Sequence, residues 1–401
     1  MKPLRILHTD FHRGWGGQAA RVLMLSRELV RRGHRVTIAA PEGELTRRAA
    51  ASDAGIAVDD AFRFRPPARA LSFLADVRRM RSLLRNGRFD IVDVHGSQDA
   101  WVTAVARCLP GAHPARFVLT RHNTKRVRTN AANRALYGRV VDHLILVDES
   151  VRRQYAAFLD DETLDPSRIS VIPSAYRADL FHEDVQGAPV RRELGLAEED
   201  TLIGVAGRLV RDKGHTYLFQ AVERLRSTHP RIALALAGAG PLEAELKEEV
   251  RARGLEGMTR FLGFRGDIAA VEAAFDIAVL PSVGCDASSA AIKESMALGI
   301  PIVASDIGGA RGMIRDGETG LIVPPGDAAG LENALRALLD DPERARAMAE
   351  RARQEVSRYS IDRLADATLA AYDTTLAGTR ATEGARTAPS PRGSARQRPT
   401  L

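Results

Sequence analysis

Cysteine is almost missing from this sequence. Cys108 and Cys285 are the only two in 401 residues and stand in different halves. That excludes a disulfide framework and a multi-cysteine metal site, and it fits a reducing cytoplasm. Aromatic residues are scarce at 5%, so the cores must be built from Leu, Val, Ile and Ala. The basic residues also lack interleaved aromatic platforms, which argues against nucleic acid as a partner. No apolar run reaches the roughly 18 residues needed to span a bilayer. No signal-peptide pattern opens the chain, because residues 1–8 run straight into a strand-like stretch. The expectation is a soluble cytoplasmic protein, peripheral at most on the inner face of a cell membrane.

What is present points to two domains. The length is large for one compact unit, and 45% apolar residues are ample for two cores. Short β-branched runs alternate with amphipathic stretches throughout, the pattern of α/β folds with parallel sheets. Strands are predicted at 5–8, 35–40, 91–95, 116–120, 144–147 and 169–172, and again at 202–206, 233–237, 260–262, 277–280, 302–304 and 321–323. The resulting division is 1–185 and 186–360 for two doubly wound domains, 361–376 for a closing helix, and 377–401 for a disordered basic tail. Net charge is uneven: +9 over residues 1–185, −6 over 186–376 and +4 over the remainder. A basic first half suits an anionic partner such as a membrane surface, and equally reads as Arg-rich solvated helix faces.

In doubly wound domains, ligands bind at the carboxyl ends of the strands, and the candidate motifs fall there. Gly14-Trp15-Gly16-Gly17-Gln18 follows the first strand and opens a helix, so its backbone N–H groups are available to an anion. In the loop from Gly207 to Gly214, Arg208 and Lys213 stand five residues apart and can converge on a diphosphate. The third motif runs from Pro281 to Pro301. Ser288, Ser289 and Ala290 lie near a helix start, where N–H groups bind phosphate or sugar hydroxyls, while Asp286 precedes that helix and Glu294 lies about two turns into it. The order is not a Walker loop, and the glycine spacing of dinucleotide binders is missing.

This third segment resembles the family-4 glycosyltransferases, a retaining family of the GT-B fold. The residues that carry the resemblance are Asp286, Glu294, then Met296-Ala297-Leu298-Gly299-Ile300-Pro301-Ile302-Val303-Ala304-Ser305, Gly308-Gly309, and Asp316-Gly317-Glu318-Thr319-Gly320. It extends from Ile6 to about Tyr372. Three positions depart from the family pattern: Asp286 replaces a Glu, Ser174-Ala175 stands where Asn-Gly follows the proline, and Ala19 stands where an acid is common.

The resemblance implies two Rossmann-like domains facing across a cleft, with the C-terminal helix returning to the first. It implies that Glu294 holds the donor ribose and Asp286 contacts the transferred sugar. Arg208 and Lys213 would neutralise the departing diphosphate, helped by backbone N–H groups of Gly16, Gly17, Ser289 and Ala290. His122, in Thr120-Arg121-His122-Asn123, becomes a candidate sugar-contacting residue, and the segment containing Arg265 the loop that reads the nucleotide base. Fixed cations and helix N-termini can stabilise a leaving diphosphate; together with the lack of a strand-end Asp-x-Asp, this gives an expectation of no metal and no cofactor beyond the NDP-sugar itself. Gly14-Trp15-Gly16-Gly17-Gln18, Val94-His95-Gly96-Ser97 and Lys293-Glu294 resemble bacterial enzymes of lipopolysaccharide or surface-polysaccharide assembly, implying a glycan or glycolipid acceptor. Two alternatives stay open: an NDP-sugar 2-epimerase of the same fold, and a catalytically weak sugar-nucleotide-binding protein.

Overall fold

The computed structural model describes residues 2–111, 114–284 and 289–387. Among these the strands form two sheets, parallel throughout. The first contains β1 (Arg5–Thr9), β2 (Arg35–Ala39), β3 (Ala57–Asp59), β4 (Ile91–Val94), β5 (Arg116–Arg121), β6 (His143–Leu146) and β7 (Ile169–Val171), in the spatial order β3-β2-β1-β4-β5-β6-β7. The second contains β8 (Thr201–Ala206), β9 (Ile232–Ala237), β10 (Thr259–Gly263), β11 (Ile277–Leu280), β12 (Ile302–Ser305) and β13 (Leu321–Val323), in the order β10-β9-β8-β11-β12-β13. In each sheet the strand order reverses once, between β1 and β4 and between β8 and β11. At such a point successive connections leave to opposite faces and open a crevice at the strands' carboxyl ends.

The strands read as continuous apolar runs because both faces are covered. Every residue of β9 is buried, as is every residue of β11 and β12. Helix Gly17–Arg31 turns Val22, Leu25 and Leu29 onto one face of the first sheet. Helix Ala70–Gly87 turns Phe73, Val77, Met80 and Leu84 onto the other. Both sets follow the three-and-four spacing of one helical stripe. Gly33, at φ +88°, ends the first helix in a left-handed turn. Strand β3 was not anticipated: it is three residues long, lies at a sheet edge and is only partly buried, so it carries no periodic signal.

The last helix, Ile361–Thr387, belongs to the core of the first sheet although it follows the second in sequence. Leu364, Ala365, Leu369 and Tyr372 pack with Val22 and Leu25, and Arg32 pairs with Asp362 and Asp366. This helix corrects the expected boundary at 376, because residues 377–387 are helical rather than disordered. Once a helix is anchored by packing, each added residue needs no new nucleation, so the Ala- and Arg-containing continuation propagates. The expected tail beyond it, 388–401, lies outside the described residues. The chain passes between the sheets twice, and the passages are joined: the Tyr176 N–H donates to the Tyr359 carbonyl at 3.1 Å. Among the described residues, no helix is long and apolar enough to cross a membrane.

Candidate active site

The second sheet gathers most of the candidate residues at its switch point. The loop after β8 carries Arg208 and Lys213, and the loop after β11 leads into helix Ala290–Leu298. Close backbone packing locks the two loops together. The Asp212 carbonyl accepts from the Val283 and Gly284 N–H groups at 2.8 and 3.1 Å. Gly214 sits at φ +65°, and a Cβ there would stand 2.1 Å from the Pro281 carbonyl oxygen, so no other residue fits. The Arg208 guanidinium is exposed and makes no hydrogen bond or ion pair among the described residues. Lys213 is half-buried, its stem lying along Gly207. Ser289 is the N-cap and uses no side-chain bond to close the helix start, which leaves the first-turn N–H groups, Ala290 included, available to a ligand.

Glu294 lies further along the same helix and is half-buried. Burial raises its carboxyl to about 7, against the opposing pull of Arg177 and Lys293. Glu272, only 3% exposed, has no hydrogen-bond partner on either oxygen among the described residues. Burial and the nearby Glu294 push it well above the carboxylate range. Beside it lies a cavity of about 10 Å³, also lined by Gly204 and Ser295, room for about one water molecule. Arg265 follows β10, and its guanidinium is held between Glu193 and Asp267. Its segment therefore offers a ligand its backbone and the ring of Phe264, which is 79% exposed. Asp286 and Ser288 lie outside the described residues.

The first sheet carries the rest. Gly16 caps helix Gly17–Arg31 in extended backbone with no side-chain cap, and the space a Cβ would fill at Gly14, Gly16 and Gly17 is open. Gln18 closes the turn by donating to Asp10 at 2.9 Å. Ala19 is buried at 2% exposure in the core below. His122 follows β5 and is half-buried, with Nε2 2.9 Å from Nδ1 of His95.

The structure thus places Arg208, Lys213, Ser289, Ala290 and Glu294 at one switch point, with Arg265 one strand beyond β9. Gly16, Gly17 and His122 stand at the carboxyl ends of the other sheet. Sequence reading missed the groups behind these positions: His8 and Asp93 beneath His122, and Glu272 beside Glu294. Each is buried among residues distant in sequence, and a lone polar residue in an apolar run carries no local signature. His95 stood in Val94-His95-Gly96-Ser97, a segment noted for its resemblance to surface-polysaccharide enzymes and given no site role.

Comparison with known proteins agrees with this architecture. Residues 15–179 match the model of Glycosyltransferase Family 4, and residues 188–355 match that of Glycosyl transferases group 1. The chain is 27% identical over 326 residues to the D-inositol 3-phosphate glycosyltransferase of Stackebrandtia nassauensis, covering 76% of this chain and 73% of that relative. Over 169 residues it is 37% identical to the glycogen synthase of Mycobacterium tuberculosis, covering 41% of each. It superposes on the crystal structure of Anabaena HepE in complex with UDP with a TM-score of 0.78 and 20% identity, over 92% of this chain and 100% of that one. Fold and site define an enzyme, a sugar-transferring one of GT-B architecture. The two halves of the chain thus match two glycosyltransferase family models, and the chain is a glycosyltransferase of GT-B type.

Proposed function

We propose that the protein moves a sugar from an NDP-sugar to a hydroxyl of a cell-surface glycan or lipid-linked acceptor, with retention at the anomeric carbon and without a metal. The observation that carries this reading is the Arg208 guanidinium, without a hydrogen bond or ion pair among the described residues, near Lys213 on a loop packed against the 281–284 segment that leads to the helix starting at Ala290. When the anomeric bond to the diphosphate breaks, the electron pair moves onto a phosphate oxygen. Two cations and a helix N-terminus already in place stabilise that charge with little reorganisation. Glu294, about one turn into the same helix, accepts from the ribose hydroxyls in this reading, and Phe264 offers a ring to the base. The complex of HepE with UDP supports a uridine donor.

The relatives named above use different acceptors, an inositol phosphate and glycogen. A membrane-held acceptor is favoured here by the surface of the first domain. On helix Ala70–Gly87, Leu71 is 88% and Leu74 47% exposed, on the same helix as exposed Arg78 and Arg85. Exposed leucines among arginines suit an anionic lipid surface.

The test is a thermal-shift panel of UDP-, GDP-, ADP- and dTDP-sugars, followed by product analysis with candidate acceptors. The expected result is stabilisation by one nucleotide family, activity that survives chelation, and a product of unchanged anomeric configuration. An inverted product overturns retention. Conversion of donor in the absence of acceptor points to the epimerase, and stabilisation without any turnover to a sugar-nucleotide-binding protein.

A further inference from the structure

Behind His122 lie two more histidines in single file. Nε2 of His122 is 2.9 Å from Nδ1 of His95, and Nε2 of His95 is 3.0 Å from Nδ1 of His8. The three rings come from the ends of three neighbouring strands, β5, β4 and β1. His8 and His95 are 0% and 2% exposed. Asp93 sits beside the inner contact, with carboxylate oxygens 3.9 Å from His8 Nδ1 and 3.8 Å from His95 Nε2. Those oxygens already accept from Thr120 at 2.8 Å and Tyr372 at 2.6 Å. His8, Asp93 and His95 are the types of residue that bind metals. Yet a nitrogen pair at 3.0 Å has hydrogen-bond length, and each Asp93 oxygen already accepts one hydrogen bond. The arrangement is a proton chain.

Burial pushes both inner histidines down to about 3, so each is neutral at ordinary pH and has one N–H. The rings are then coupled. If His8 donates from Nδ1, His95 must donate from Nδ1 to His122, and His122 has its proton on Nδ1. If His122 donates from Nε2 instead, the chain reverses and ends with an N–H on His8 Nε2. That atom is buried and has no partner among the described residues. A buried N–H without an acceptor costs roughly 1–3 kcal/mol, and orphaned donors are rarer than orphaned acceptors. Asp93 lies equally close to both nitrogens of the inner contact and does not favour either order.

We infer that His95, backed by His8, is a positioning residue that holds His122 in the Nδ1–H tautomer, so that His122 presents a hydrogen-bond donor to the substrate rather than a base. The catalytic part of this statement rests on the glycosyltransferase reading; the tautomer does not. In this state Nδ1 of His122 makes no hydrogen bond among the described residues, and a sugar hydroxyl oxygen is the acceptor it suits.

The experiment is long-range nitrogen–proton NMR of ¹⁵N-histidine-labelled full chain, with the His122 signals assigned by their loss in His122→Asn. The expected wild-type spectrum shows His122 protonated on Nδ1. In His95→Phe the His122 tautomers mix, and turnover of UDP-glucose with acceptor falls about tenfold or more with little change in donor KM. His95→Asn, whose amide can donate from near the Nδ1 position, restores both. A wild-type His122 protonated on Nε2 overturns the inference, and this measurement needs no variant to fold. So does a His122 tautomer unchanged in folded His95→Phe. If the tautomer behaves as expected but UDP-glucose neither binds nor reacts, the chain of histidines stands and the functional reading is what fails.

Discussion

Lys293 Nζ donates to the Ser174 carbonyl oxygen at 2.8 Å, tying a buried cation on helix Ala290–Leu298 of the second domain to the segment that crosses from the first domain. From the other side, buried Arg21 donates to the Ile172 carbonyl at 2.9 Å and to the Ser174 hydroxyl at 3.2 Å. The crossing is held by one cation from each domain. Lys293 precedes Glu294 directly, so the grip on the crossing and the proposed ribose-binding acid share one turn of helix.

Lys293→Met is therefore expected to destabilise the protein by about 1–3 kcal/mol, because the Ser174 carbonyl loses a charged donor without gaining water. Thermal melting checks this. An unchanged midpoint would show that the crossing does not depend on the lysine.

The closing helix makes a second prediction. Tyr372 donates to Asp93, and its neighbours complete the core of the first sheet. Tyr372→Phe should cost about 1–3 kcal/mol, since it removes one donor from a buried carboxylate. Ending the chain after Ser360 should expose the apolar face of helix Gly17–Arg31 and give an aggregating first domain. Ending it after Thr387 should leave melting and solubility unaltered.

Glu294 gives a pH dependence of definite sign. Its carboxyl is raised to about 7 in the unliganded protein, and the ribose reading requires the ionised form as acceptor. UDP-glucose affinity should then rise with pH, by about tenfold between pH 6 and pH 8, as the fraction ionised grows. Calorimetric titration measures it, and Glu294→Gln should bind more weakly with a flat profile. A wild-type affinity independent of pH would detach Glu294 from the donor.

The Arg208 side chain is exposed and makes no hydrogen bond or ion pair among the described residues, so its removal should spare the fold. Arg208→Ala is expected to lower kcat by roughly 10²–10³, the cost of losing one preorganised group at a developing charge. Its melting temperature without nucleotide should be unchanged, which separates the catalytic loss from unfolding.

The leucines and arginines of helix Ala70–Gly87 predict binding to vesicles containing anionic lipid, weakened by salt. Co-sedimentation of the doubly substituted Leu71→Ser, Leu74→Ser chain should fall to the level seen with neutral vesicles. Equal binding by both chains would remove this helix from the interface.

Much of the architecture was legible before any coordinates. Strands buried on both faces appear as unbroken apolar runs, helices as stripes, and motifs at strand ends stand where parallel sheets bind ligands. Arg208, Lys213, Ser289, Ala290 and Glu294 could be found because loop, helix start and acid are local in sequence. Sequence alone therefore determined the fold class, the alternation of elements and the cluster at the second switch point, since all rest on short-range periodicity and steric rules. Only the tertiary structure decided that the last helix completes the first core and that Arg265 is held by two carboxylates. It alone also revealed that Arg21 and Lys293 grip the crossing and that His8, His95 and His122 stand in line. Those relationships join residues far apart in the chain, and they exist because burial makes each polar group find a partner wherever the packed sheets bring one within reach.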